Sequence, residues 1–364
     1  MKVKLGLYAI SFGFGPVSKA VAIARAVIKQ IDVEWYLIGS GISLEFMKRE
    51  GIKANIIDIS NYLETELFLK DLKNKIDGAI VVMDNDWANK LAPHIPVFFA
   101  DSLGFIWNKE DFKSFSNMGK IKKYYVQNLF GAYDNLLKIG FKNIKAISPI
   151  IDVIYPESSN FARRNVIHLG GLMNPLNPNT TKIYLNGIIQ IIIKLKINAP
   201  LFLMSDAAKM AFPSLLKGCD IQSLTHKEAI AAVKYANSVW SSPGLTIMLE
   251  MAHMRVKTIP LPPQNYSQVL NIRNMVREFK IDLPEIWHFL DQEYSEITMG
   301  MPEEIGVQKI TELNSKKLTD NDFQNAFSQL ARHPCTLNAT LPEKLISQQN
   351  GANEIAQDIK EFFC

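Results

Sequence analysis

The feature that most restricts the fold is a repeated alternation of short apolar runs with longer segments of helical periodicity. Lys4 to Ile10 is mostly apolar with little alternation, the pattern of a central parallel strand. The loop Ser11-Phe12-Gly13-Phe14-Gly15-Pro16 follows, and Val17, Val21, Ala24 and Ile28 then step along one helical face. Strand candidates continue at Val33 to Ile38, Asn55 to Ile59, Gly78 to Met83 and Val97 to Ala100, then at Tyr124 to Gln127 and Lys145 to Ser148. Helical stretches between them include Ser43 to Glu50 and Tyr62 to Lys73. This alternation predicts an α/β fold with one open, mostly parallel sheet over residues 1–150.

A chain of 364 residues exceeds the size at which one core usually keeps growing, so two domains are expected. The pattern pauses at Pro149 to Phe161, which reads as a linker, and we place it at 151–163. A second βα series over 164–340 opens with Asn165-Val166-Ile167-His168-Leu169-Gly170-Gly171. It continues with a helix through Ile193 capped by Thr180 or Asn179, strands at Leu201 to Met204 and Ile221 to Leu224, and a helix His226 to Tyr235 capped by Thr225. Helices are expected at Tyr266 to Phe279, Pro284 to Glu293, Glu303 to Leu313 and Asp320 to Ala331, and a last one at Asn353 to Phe363 within 341–364.

The stretch richest in chemistry is Val239-Trp240-Ser241-Ser242-Pro243-Gly244-Leu245-Thr246-Ile247-Met248-Leu249-Glu250. It reads as a buried strand end, a small-residue turn and a helix, with Ser242 as N-cap and Pro243 in the first turn. Gly244 leaves the helix entrance bare, so the unpaired N–H groups and positive dipole end suit a phosphate or diphosphate. Thr246 and Glu250 are four apart and share a face that offers a hydroxyl and a carboxylate to a polar ligand, while Leu245, Met248 and Leu249 point toward a sheet. The plain alternative is an ordinary βα turn.

Together with the strand Thr258-Ile259-Pro260 and the following Gln264-Asn265, that stretch resembles the donor-binding segment of the GT-B glycosyltransferase superfamily. The resemblance implies two Rossmann-like βα domains facing a cleft, with a UDP-sugar as co-substrate and no metal or other cofactor required. It implies that Ser242, Pro243, Gly244, Leu245 and Thr246 hold the diphosphate, Glu250 the ribose, and Gln264 and Asn265 face the sugar. Gly170 and Gly171 would line the donor cleft, Leu224 and Thr225 the nucleobase. The loop Gly13-Phe14-Gly15-Pro16 is similar to the family's acceptor-side loop, with Pro16 where many relatives carry a histidine base. The last helix would pack back on the first domain. Gly13-Phe14-Gly15 with Phe99-Ala100-Asp101-Ser102-Leu103 is similar to the cytosylglucuronate synthase group, which implies UDP-glucuronate and a small or nucleoside-like acceptor.

Other chemistries find less support. The first loop is not G-x-G-x-x-G, since Ser18 occupies the third glycine position, and it lacks the Walker lysine spacing. No G-x-S-x-G elbow or H-E-x-x-H pair occurs. Asp101, ending an apolar strand, is the leading candidate for a catalytic base, against a simple turn cap. Asp84-Asn85-Asp86 invites a metal-diphosphate reading, against Asp84 capping a short helix. His168 reads as a core or neighbouring histidine; His226, His253, Lys19, Arg163 and Arg164 read as surface groups. The net charge of +4 predicts no nucleic-acid partner. Cys219, Cys335 and Cys364 build neither a disulfide framework nor a zinc site. With no transmembrane stretch or signal sequence recognised, a reducing cytoplasm is the expected compartment. A nucleotide-sugar hydrolase or epimerase, or a non-catalytic nucleotide-sugar-binding protein, stays open beside the transferase.

Overall fold

A computed structural model describes residues 2–61, 66–110, 118–152, 156–172, 178–280, 283–332, 341–345 and 349–364. The chain divides into two compact units, one of residues 1–152 with 346–364 and one of residues 153–345.

In the first unit the strands are β1 (Val3–Ala9), β2 (Val33–Gly39), β3 (Ala54–Asp58), β4 (Gly78–Val82), β5 (Val97–Asp101), β6 (Lys123–Gln127) and β7 (Ile144–Ile147). They form one parallel sheet in the order β3-β2-β1-β4-β5-β6-β7. Its central strands are buried on both faces, as their unbroken apolar runs require. The helices are α1 (Gly15–Val27), α2 (Gly41–Arg49), α3 (Glu66–Lys75), α4 (Asn85–Leu91) and α5 (Ala132–Ile139). The expected start of α3 at Tyr62 lies outside the described residues. The C-terminal helix Gly351–Phe363 lies in the same unit, and Ala352, Ile355, Ala356 and Ile359 enter the core that α1 covers.

The second unit holds β8 (Asn165–Gly170), β9 (Pro200–Met204), β10 (Asp220–Gln222), β11 (Ser238–Ser241) and β12 (Thr258–Pro260), parallel in the order β10-β9-β8-β11-β12. Its helices are α6 (Pro178–Leu195), α7 (Asp206–Ala211), α8 (His226–Lys234), α9 (Leu245–His253), α10 (Tyr266–Glu278), α11 (Glu285–Glu293), α12 (Glu303–Lys317) and α13 (Asn321–Ala331). Helix α6 already begins at Pro178, so Asn179 and Thr180 lie inside it rather than capping it. Proline at a helix start has the φ the first turn needs and lacks only an N–H that would find no partner there. Cys335 and His333 lie outside the described residues. Among the described residues no helix is long and apolar enough to cross a membrane.

Candidate functional site

Each sheet reverses its strand order once, between β1 and β4 in the first unit and between β8 and β11 in the second. Open parallel sheets bind ligands beyond the carboxyl ends of the strands at such a switch point. In the second unit those ends are His168 to Gly171 and Ser241 to Gly244. Strand β8 ends in an irregularity between His168 and Gly170. Gly170 has φ +64°, and a side chain there would find its nearest neighbour, His168 Cε1, only at 4.0 Å. A glycine meets that backbone geometry without strain and leaves the main chain bare. The Gly171 carbonyl accepts from Ser205 Oγ at 2.6 Å, and the Ser242 N–H donates to the His168 carbonyl at 3.0 Å, so both strand ends are tied down.

The turn after β11 differs from its expected form. Gly244, not Ser242, is the N-cap of α9, and Pro243 lies outside the helix. The Ser242 hydroxyl is engaged elsewhere: it accepts from Gln264 Nε2 at 2.9 Å and lies 3.2 Å from Tyr184 Oη. Gln264 Nε2 also donates to the Leu169 carbonyl at 2.8 Å, and Asn271 Nδ2 donates to the Pro243 carbonyl at 3.0 Å. Gln264 therefore joins the ends of β8 and β11. Asn265 caps α10, its Oδ1 accepting from the Gln268 N–H at 3.0 Å.

Thr246 and Glu250 are buried rather than presented on an open face; Glu250 is only 5% exposed. Leu245, Met248 and Leu249 are buried as well. Glu250 Oε1 receives no aligned hydrogen bond, yet it lies 2.9 Å from His226 Nε2. His226, expected on the surface, is 8% exposed. Thr225 caps α8 in a reciprocal capping box with Glu228, as its T-x-x-E pattern predicts, and this makes His226 the first helical residue. His226, Ile230 and Val233, at i, i+4 and i+7, are buried together with Ala231 and Ala232, and that spacing marks His226 as facing inward. Leu224 and Thr225 are half-buried beside it. His168 is half-buried, and burial first, then the nearby His226 charge, lowers its pKa to about 4, so it stays a neutral imidazole at pH 7. Its Nδ1 lies 3.4 Å from Ser241 Oγ. His253 is half-buried at the end of α9.

In the first unit Asp101, the leading candidate for the base, is fully buried at the end of β5. Its Oδ1 accepts from the Leu103 N–H at 2.7 Å, and its Oδ2 from Trp107 Nε1 at 2.7 Å and Tyr124 Oη at 2.6 Å. Burial raises its pKa while those donors pull it back. Asp84, immediately after β4 at the switch point, is half-buried. It caps α4 through the Trp87 N–H at 2.9 Å and accepts from Tyr8 Oη at 2.7 Å; burial first raises its pKa, against those two donors. Gly13 has φ +69°, and Gly15 opens α1, with Phe14 at the N-cap and Pro16 in the first turn. Phe14 packs on Phe46, ring centroids 4.9 Å apart. Lys19 is buried in α1 rather than solvated, and Arg164 pairs with Asp220 at 2.8 Å, whereas Arg163 is exposed. Among the described residues no three His, Cys, Asp or Glu side chains gather as metal ligands.

No protein-family model matches the chain, and no curated protein matches it in sequence. Solved structures do match in shape. The Methanocaldococcus jannaschii UDP-GlcNAc 2-epimerase in complex with UDP-GlcNAc and UDP gives a TM-score of 0.52 at 16% identity, over 99% of this chain and 100% of that one. LpCGTa in complex with UDP gives 0.50 at 10% identity, over 100% of both chains. Neither carries a tie to the cytosylglucuronate synthase group. Two parallel, helix-flanked sheets of seven and five strands, matched end to end by these structures, give this chain the GT-B fold.

Proposed function

We propose that the chain is a UDP-sugar-dependent glycosyltransferase. It binds the nucleotide sugar at the β8–β11 switch point and passes the sugar to a small or nucleoside-like acceptor. The observation that carries this reading is the Glu250 carboxylate. It is buried one turn inside a helix whose entrance has no side-chain cap, and one of its oxygens receives no aligned hydrogen bond. Burying a carboxylate without full compensation costs several kcal/mol, of order 1–3 for each unsatisfied bond. A diol donating to the carboxylate's other oxygen and a diphosphate at the bare helix entrance beside Gly244 and Leu245 would complete the compensation. The helix entrance then provides the charge stabilisation that a divalent ion provides elsewhere. The UDP found with two proteins of the same fold supports the choice of nucleotide. On the acceptor side, Asp84 follows β4 at the β1–β4 switch point and is half-buried rather than sealed in the core.

An epimerase is the second reading. It is favoured by the likeness to the UDP-GlcNAc 2-epimerase and by the burial of Asp101, the leading candidate for the acceptor's base. Incubation with UDP-sugars alone separates the two: an isomerised UDP-sugar would displace transfer, and products formed only with acceptor present would support it. Binding is tested by calorimetry with UDP. Glu250→Ala should weaken UDP by roughly 1.5–3 kcal/mol, the contribution of one charge-assisted hydrogen bond. Unchanged affinity in a folded Glu250→Ala protein removes the assignment.

A further inference from the structure

We propose that His226 is a positioning residue for this site: it holds one oxygen of Glu250 and so presents the other to a ribose diol. The inference rests on the nucleotide-binding reading above. His226 opens α8 and Glu250 lies in the second turn of α9, so no local chain geometry brings the two together. Their side chains nevertheless meet at 2.9 Å with less than a tenth of either exposed. The contact is ionic in range without linear hydrogen-bond alignment. The imidazole of His168 on β8 is near enough to His226 for the two to sense each other's charge.

A carboxylate on a flexible side chain in a buried helix has no reason of its own to hold one orientation. Fixing one oxygen from a neighbouring helix removes that freedom before the ligand arrives, which is how a preorganised site lowers the cost of binding. The chemistry selected is a pair of vicinal hydroxyls donating to the remaining oxygen. The specificity conferred is therefore for ribose over a sugar lacking those hydroxyls, and it leaves the diphosphate contacts at the α9 entrance unaffected.

The experiment measures Kd for UDP and for 2′,3′-dideoxy-UDP on wild type, Glu250→Ala, His226→Leu, His226→Asn and His226→Gln. Thermal unfolding of each protein confirms that it is folded. Wild type should prefer UDP, and Glu250→Ala should abolish the preference. His226→Leu should reduce it by roughly five- to tenfold while barely changing the affinity for the dideoxy compound. His226→Asn, too short to reach the carboxylate, should behave alike and carries the test if the leucine variant fails to fold. His226→Gln, whose amide nitrogen has the reach of Nε2, should restore part of the preference. If His226→Leu and His226→Asn weaken the two nucleotides equally, the residue is merely structural and the proposal is overturned. If wild type shows no preference, or Glu250→Ala retains it, the ribose reading itself fails. Loss of preference in Glu250→Ala with full preference in His226→Leu and His226→Asn sinks the positioning role alone.

Discussion

Three donors converge on Asp101, and its side chain has no contact with solvent. Two of them, Trp107 Nε1 and Tyr124 Oη, share one oxygen. The carboxylate thus joins the end of β5 to β6 and to the loop at Leu103. Asp101→Asn keeps the volume but puts an amide nitrogen, a donor, where at least one of these groups needs an acceptor. The expected result is a loss of about 1–3 kcal/mol in stability with turnover per folded molecule near wild type. Denaturant melts and single-turnover assays on the same preparation check it, and a hundredfold loss of turnover in stable protein would place Asp101 in the chemistry. An aspartate at the end of an apolar strand looks the same in sequence whether it faces substrate or the next strand, because the partners Trp107 and Tyr124 become neighbours only after the sheet forms. His226 illustrates the opposite case, since the apolar stripe it shares with Ile230 and Val233 was readable in advance.

The strands were legible as elements because parallel strands covered on both faces read as near-continuous apolar runs, as β1, β4 and β5 do apart from Lys4 and Asp101 at their ends. Helix caps were legible where donor and acceptor are close in sequence, as for Thr225 with Glu228. The cap of α9 was not, because Ser242 is claimed by groups distant in the chain: Gln264 beyond β12, and Tyr184 on α6. That competition builds the turn from outside. Pro262 has no N–H to pair, and its carbonyl is held by Tyr184 Oη at 2.7 Å. Tyr184→Phe leaves this buried carbonyl without its donor, so stability should fall by roughly 1–3 kcal/mol. UDP affinity should fall with it, because the turn entering α9 loses a support. Equilibrium unfolding and UDP titration measure both, and unchanged affinity would show that the turn keeps its shape without Tyr184.

At the scale of the molecule, the first unit is completed by a helix that follows the whole of the second unit in sequence. Asp358 on that helix accepts from Lys145 Nζ at 2.9 Å and lies 3.0 Å from Lys123 Nζ, clamping it against β7 and β6. Burial would raise the Asp358 pKa, but those two hydrogen bonds and charges together hold it below its ordinary 3.8. A carboxylate with a depressed folded pKa contributes stability that is fully present above the ordinary value and is lost as pH falls through the lower one. Asp358→Asn should therefore destabilise the protein at pH 7 and narrow its difference from wild type near pH 3. Chemical denaturation at the two pH values reads this directly, and an equal gap at both would exclude the clamp. The same connectivity imposes an order on birth at the ribosome. Residues 153–345 are synthesised before Gly351–Phe363 emerges, an interval of roughly 10–40 s at ordinary elongation rates. Throughout it the nascent first unit carries an uncovered apolar strip beside α1. A ribosome stalled in that window would therefore present chaperones with an unfinished first unit and a second unit still being synthesised.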